Sequence, residues 1–138
     1  MIRTRFGRAS RMLAGVLVAA AFASTVAASR AAFHTTVVKS EPRTGDSVKV
    51  APKIIKLWFS EPPKTGTLEV KLATAAGSAV KLGPVKPDTT VKGDNPPLMV
   101  DVQGPMAPGT YRVNWNAIAP DGDASKGNFS FKLLPSKP

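Results

Sequence analysis

The chain has 138 residues, 43% of them hydrophobic and 20% charged, with one histidine, no cysteine and a formal charge of +10. That length serves one domain and is too short for two with separate cores. Without cysteine there is no disulfide framework, no thiolate chemistry and no cysteine-held metal.

Residues 1–31 fall outside that domain. Arg3, Arg5, Arg8 and Arg11 precede an uncharged run from Met12 to Ala28 rich in Ala, Val and Leu, and small residues follow. This is the layout of a secretory signal peptide. A membrane anchor is the competing reading, but spanning takes about twenty strongly apolar residues, and this run is diluted with Ala, Ser and Thr. The arginines stand singly rather than as a twin pair, which indicates the general secretion route to the periplasm. Cleavage is expected after Ala28 or Ala31, leaving a mature domain over 32–138. Removing residues 1–31 takes away five arginines and no acids, so 14 basic and nine acidic residues remain, a charge of +5. The remaining lysines are spread one at a time. Nucleic-acid binding wants clustered cations interleaved with aromatics, and the pattern does not supply them.

From Thr35 onward, short runs of period two alternate with Pro, Gly, Asn and Asp, and no stretch has helical periodicity. A first strand is expected over 35–39, closed by a turn at Ser40–Asp46. In Lys53–Phe59, Ile55, Leu57 and Phe59 point one way, and Trp58 points to an edge or the second face. Leu68, Val70 and Leu72 alternate with Glu69 and Lys71. A turn over Ala73–Gly77 leads to a strand over Ala79–Leu82, and Gly83–Pro97 reads as a long surface connection. Alternation resumes at Leu98, Val100 and Val102. After a turn at Pro108-Gly109, Tyr111, Val113, Trp115 and Ala117 form the strongest strand. The turn Pro120–Asp123 leads to Phe129, Phe131 and Leu133 in the last one. The tail over 135–138 is expected to fray. About seven strands with such spacing predict an all-β, Greek-key β-sandwich of immunoglobulin-like or cupredoxin-like type. Its predicted core is Ile55, Leu57, Phe59, Val70, Val100, Tyr111, Val113, Trp115, Phe129 and Phe131.

Catalytic chemistry is sparse. A serine triad could be built only around His34, and no serine sits in a nucleophile-elbow sequence. These counts predict a protein that is not an enzyme. Asp121-Gly122-Asp123 pairs two carboxylates, although on a turn Asp-Gly-Asp also serves backbone hydrogen bonding and left-handed φ. His34, near a chain end, is by itself more often a solvated surface residue than a ligand.

The wider pattern adds a resemblance. His34, Ser40-Glu41-Pro42, Gly45, Val48, Pro52, Ile55, Leu57 and Phe59-Ser60-Glu61-Pro62 resemble the first half of the CopC family of periplasmic copper-binding proteins. Pro108-Gly109, Tyr111, Val113, Trp115, Asp121-Gly122, Gly127 and Phe131 resemble its second half. The resemblance implies a copper carrier or buffer acting in copper homeostasis or resistance. It also implies an inner-membrane, CopD-like copper transporter as partner, and a monomer is expected. In that family Cu(II) is held by an amino-terminal histidine, an aspartate in a D-G-H turn and the histidine of that turn. Carried over, His34 matches the first ligand, Asp121 the aspartate, and Glu61 an acidic position near the site.

Two departures weaken the implied site. Asp123 replaces the turn histidine, exchanging a nitrogen donor for a harder oxygen. Cleavage directly before His34 would put Phe33 at a position that prefers small residues, so His34 is not expected to carry the free amine. Of the methionines, only Met99 and Met106 survive cleavage, and Met99 reads as packing in a strand, so Cu(II) is expected over Cu(I). The alternative is a metal-free, immunoglobulin-like envelope module that kept the sandwich and lost the site.

Overall fold

The computed structural model describes residues 34–137, so the expected signal peptide lies outside the described residues. Nine strands follow one another: β1 (Val37–Glu41), β2 (Ser47–Val48), β3 (Ile54–Phe59), β4 (Glu69–Thr74), β5 (Ala79–Val80), β6 (Lys86–Pro87), β7 (Leu98–Asp101), β8 (Gly109–Ile118) and β9 (Ala124–Leu133). They form a four-stranded sheet in the order β1-β3-β7-β6 and a five-stranded sheet in the order β2-β9-β8-β4-β5. All pairings are antiparallel except β2 with β9, which is parallel. The predicted all-β sandwich is therefore the observed fold.

Alternation of side chains decides which face each strand buries. In β8 the inward set is Tyr111, Val113, Trp115 and Ala117, and in β9 it includes Phe129, Phe131 and Leu133. These two strands pair over ten positions, from Gly109 opposite Leu133 to Ile118 opposite Ala124. From the other sheet, Ile55, Leu57 and Phe59 of β3 and Val100 of β7 close the core. Phe59 meets Trp115 edge to face across the two layers, with centroids 5.3 Å apart. Within the five-stranded sheet, Tyr111 stacks on Phe131 at 5.7 Å, and its hydroxyl donates to the Ala107 carbonyl at 2.6 Å. Of these, the Phe59–Trp115 contact is the one that joins the two sheets.

Four expectations are corrected. Seven strands become nine, because β2 and β6 are two-residue pairings too short to show a period. The first strand runs over 37–41 rather than 35–39: Ser40 turns inward, and its hydroxyl is satisfied by the Pro42 carbonyl at 2.8 Å. Val70 is only half-buried, packed against the edge of the core, whereas Leu72 of the same strand and Leu68, just before it, are buried. The segment Gly83–Pro97 is anchored rather than a free surface connection. It contains β6, and its Asp88 is only 2% exposed. One Asp88 oxygen takes the Lys56 ammonium at 2.6 Å, and the other accepts the amide and hydroxyl of Thr90 at 3.0 and 2.6 Å. Asn95 adds a bond from its side-chain amide to the Phe59 carbonyl at 2.9 Å.

Trp58 faces outward as expected and is half-buried, with the Lys39 ammonium 4.2 Å from its ring centroid. Met99 lies in β7 and is half-buried, whereas Met106 is the methionine that packs against the core.

Candidate functional site

The chain topology carries the four candidate ligands to one end of the sandwich. His34 precedes β1, and the segment behind it is tied to the end of β3. The Thr36 amide donates to the Ser60 hydroxyl at 3.1 Å, and the Ser60 amide returns a bond to the Thr36 carbonyl at 2.8 Å. This antiparallel exchange places His34 alongside the Glu61-Pro62 segment. Two residues beyond Pro62, the Lys64 amide donates to the Ile118 carbonyl at 2.8 Å, joining this segment to the tip of the β8–β9 hairpin. Thr67 fixes the same corner: its hydroxyl donates to the Lys64 carbonyl at 2.7 Å and accepts from the Ile118 amide at 3.1 Å.

Local bonds shape the hairpin tip. The Ala119 amide donates to the Asp123 carbonyl at 2.8 Å, and the Gly122 amide to the Ala119 carbonyl at 2.9 Å. The Asp123 amide donates to Oδ1 of Asp121 at 3.0 Å, an Asx turn that leaves the second Asp121 oxygen available. Gly122 has φ +97°, a conformation that glycine adopts without strain. Asp121 and Asp123 are both exposed, as are His34 and Glu61.

This end therefore holds one imidazole and three carboxylates, donor types that suit Cu(II). They share an end without meeting at a point: among the described residues, no three His, Asp or Glu side chains converge closely enough to hold a metal ion. The fit to a bound copper is thus right in chemistry and incomplete in geometry.

Three residues at this end were not singled out from the sequence. The Lys64 ammonium lies 4.0 Å from where a β-carbon on Gly122 would sit, putting a fixed cation over the acidic turn. Only a long-range backbone bond places it there, so no local signal announces it. Thr35, 1% exposed, and Ser125, 7% exposed, bury hydroxyls that have no hydrogen-bond partner among the described residues. Thr35 directly follows His34, and Ser125 follows the hairpin tip, opposite Ala117. A buried hydroxyl without a partner is costly, and these two stand one residue from His34 and two from Asp123.

Residues 37–134 match the CopC domain. Protein YobA of Escherichia coli K12 is 30% identical over 100 residues, covering 72% of this chain and 78% of that protein. Copper resistance protein C of Pseudomonas syringae pv. tomato is 31% identical over 102 residues, covering 72% of this chain and 80% of that protein. The crystal structure of PcoC, a methionine-rich copper resistance protein from Escherichia coli, superposes with a TM-score of 0.62 at 28% identity, covering 72% of this chain and 98% of PcoC. Sequence, sandwich and coverage agree, and the chain belongs to the CopC family.

Proposed function

We propose that this protein is exported to the periplasm by the general secretion route, is cleaved after Ala28 or Ala31, and there binds and carries or buffers copper as a monomer, in copper homeostasis or resistance. What supports this reading is membership of the CopC family over residues 37–134, with hydrogen bonds at Thr36–Ser60 and Lys64–Ile118 tying the segments next to His34, Glu61 and Asp121 to one end of the sandwich. Copper is cargo here and not a catalytic centre: a single histidine and no cysteine leave too few strong ligands for an oxidative enzyme. Imidazole and carboxylate donors favour Cu(II) over Cu(I). The mature segment has only Met99 and Met106 as thioethers, in contrast to the methionine-rich PcoC. Asp123 in place of a histidine and Lys64 above Gly122 both lower affinity, the first by donor type and the second by like-charge repulsion. Copper handed on from this site would reach an inner-membrane transporter of the CopD kind.

Mass spectrometry of the processed amino terminus, combined with Cu(II) calorimetry, tests the reading. The terminus is expected at Ser29 or Ala32. Wild type is expected to bind one equivalent, His34→Ala to lose it, and Asp123→His to bind about tenfold or more tighter, as a nitrogen donor is regained. Absence of any His34-dependent Cu(II) heat overturns it. A second reading, a metal-free interaction module, is favoured by the absence of three converging donors among the described residues. It predicts no copper heat in wild type.

A further inference from the structure

The end of the sandwich opposite Asp121 carries the opposite charge. There the segment from Arg43 to Lys53 crosses from the end of β1 to the start of β3. It is held by β2, whose Ser47 and Val48 pair with Lys132 and Leu133, and by bonds from the Gly45 amide to the Ser130 carbonyl and from the Lys132 amide to the Asp46 carbonyl, both 2.8 Å. Lys49 and Lys137 line one shallow depression with Leu134 between them. Lys53 begins the chain's return, its carbonyl accepting the Val102 amide at 2.8 Å.

Little neutralises this charge. The nearby carboxylates of Glu41 and Asp101 are engaged by Lys39 at 3.4 Å and Lys86 at 2.7 Å. Asp46 accepts the Arg43 backbone amide at 2.9 Å and is the one carboxylate left to set against these lysines. Among the described residues, Lys49, Lys53, Lys132 and Lys137 have no ion-pair partner. Between Lys49 and Lys53 stands Val50, the most exposed large hydrophobic residue described, at 76%.

We infer that this basic pole docks on the anionic headgroup surface of a phospholipid bilayer. Lysines around one protruding apolar side chain match a surface where fixed negative charge overlies hydrocarbon. An acidic protein partner would be met by the same lysines, but a bilayer surface engages both them and the protruding Val50 without needing a matching cleft. Each lysine near such a surface is worth about fivefold in binding, so four together give a usable, reversible and salt-sensitive attachment. Docking by this pole turns the acidic end, with His34 and Asp121, away from the lipid. The inference is independent of copper.

The test is sedimentation of the processed, metal-free protein with vesicles of phosphatidylcholine alone or with about a quarter phosphatidylglycerol. Binding is expected only to the anionic vesicles and is expected to vanish in about 0.5 M salt, where screening falls to a few ångströms. Lys49→Glu with Lys53→Glu is expected to weaken it at least tenfold, and Val50→Ser about threefold. Lys71→Glu with Lys126→Glu makes the same change in net charge on the outer face of the five-stranded sheet and is expected to cost less than threefold. The inference is overturned if the wild type ignores anionic vesicles or if both double variants lose binding equally. It is also overturned if the pole's lysines prove to capture an acidic protein while leaving vesicles unbound.

Discussion

Gly127 lies directly beneath the indole of Trp115, its cross-strand partner, so closely that a β-carbon at 127 would come within 2.8 Å of Cζ2. The glycine lets the largest side chain of the core lie flat on the neighbouring strand, where it also receives the edge of Phe59. Gly127→Ala is therefore expected to push the indole off its seat and destabilise the fold by about 1–3 kcal/mol, as overpacking does. Urea unfolding followed by tryptophan fluorescence checks this, and a variant as stable as wild type refutes it.

The Lys56–Asp88 pair makes stability depend on acid. The Lys56 ammonium, followed by the Thr90 hydroxyl and amide, holds the Asp88 carboxyl down at about 2, against an ordinary 3.8. A depressed carboxyl stabilises the fold above its unfolded pKa, and that contribution is lost as pH falls from near 4 toward 2. Asp88→Asn is expected to be less stable at neutral pH and to have a flatter profile of melting temperature between pH 4 and 2. At the alkaline side, the Asp88 hydrogen bond raises the Lys56 pKa above 10.5, so that residue's contribution is lost only as pH climbs past that value.

Lys64 acts against a metal at the tip. Its ammonium stands over Gly122, so Lys64→Gln removes one positive charge beside Asp121 and Asp123. Cu(II) affinity is expected to rise about tenfold at low salt, with the gain shrinking as salt is added. Calorimetry at two ionic strengths reads both effects, and an unchanged affinity removes Lys64 from the site.

Tyr111→Phe deletes the bond to the Ala107 carbonyl but keeps the ring stacked on Phe131. The expected cost is about 1–2 kcal/mol, with copper affinity unchanged. Phe131→Ala, which removes the ring itself, is expected to cost about 3–5 kcal/mol. Denaturant midpoints compare the two.

Much of this fold was legible because its main strands are long enough to show a period. Tyr111 to Ala117 alternates cleanly, and the structure buries the same residues the sequence marks. The two-residue strands have no period to read. Pro87 in β6 argues locally against a strand, and β2 depends on a parallel partner more than eighty residues away. Asp88 lay unmarked within the stretch read as a surface connection, because its partner, Lys56, lies 32 positions earlier. The candidate ligands were legible as types, through the family pattern around Glu61 and Asp121. Their shared end depends on the Thr36–Ser60 and Lys64–Ile118 bonds, which tertiary structure alone supplies.

His34, Glu61, Asp121 and Asp123 are all exposed, and none belongs to the buried cluster that holds the sheets together. The chemistry of this tip is thereby uncoupled from folding: any of these four side chains can be exchanged while the Trp115 and Phe59 contacts remain intact. On the copper reading proposed above, affinity for the metal would then be set by single substitutions at the tip, at little thermodynamic risk to the architecture.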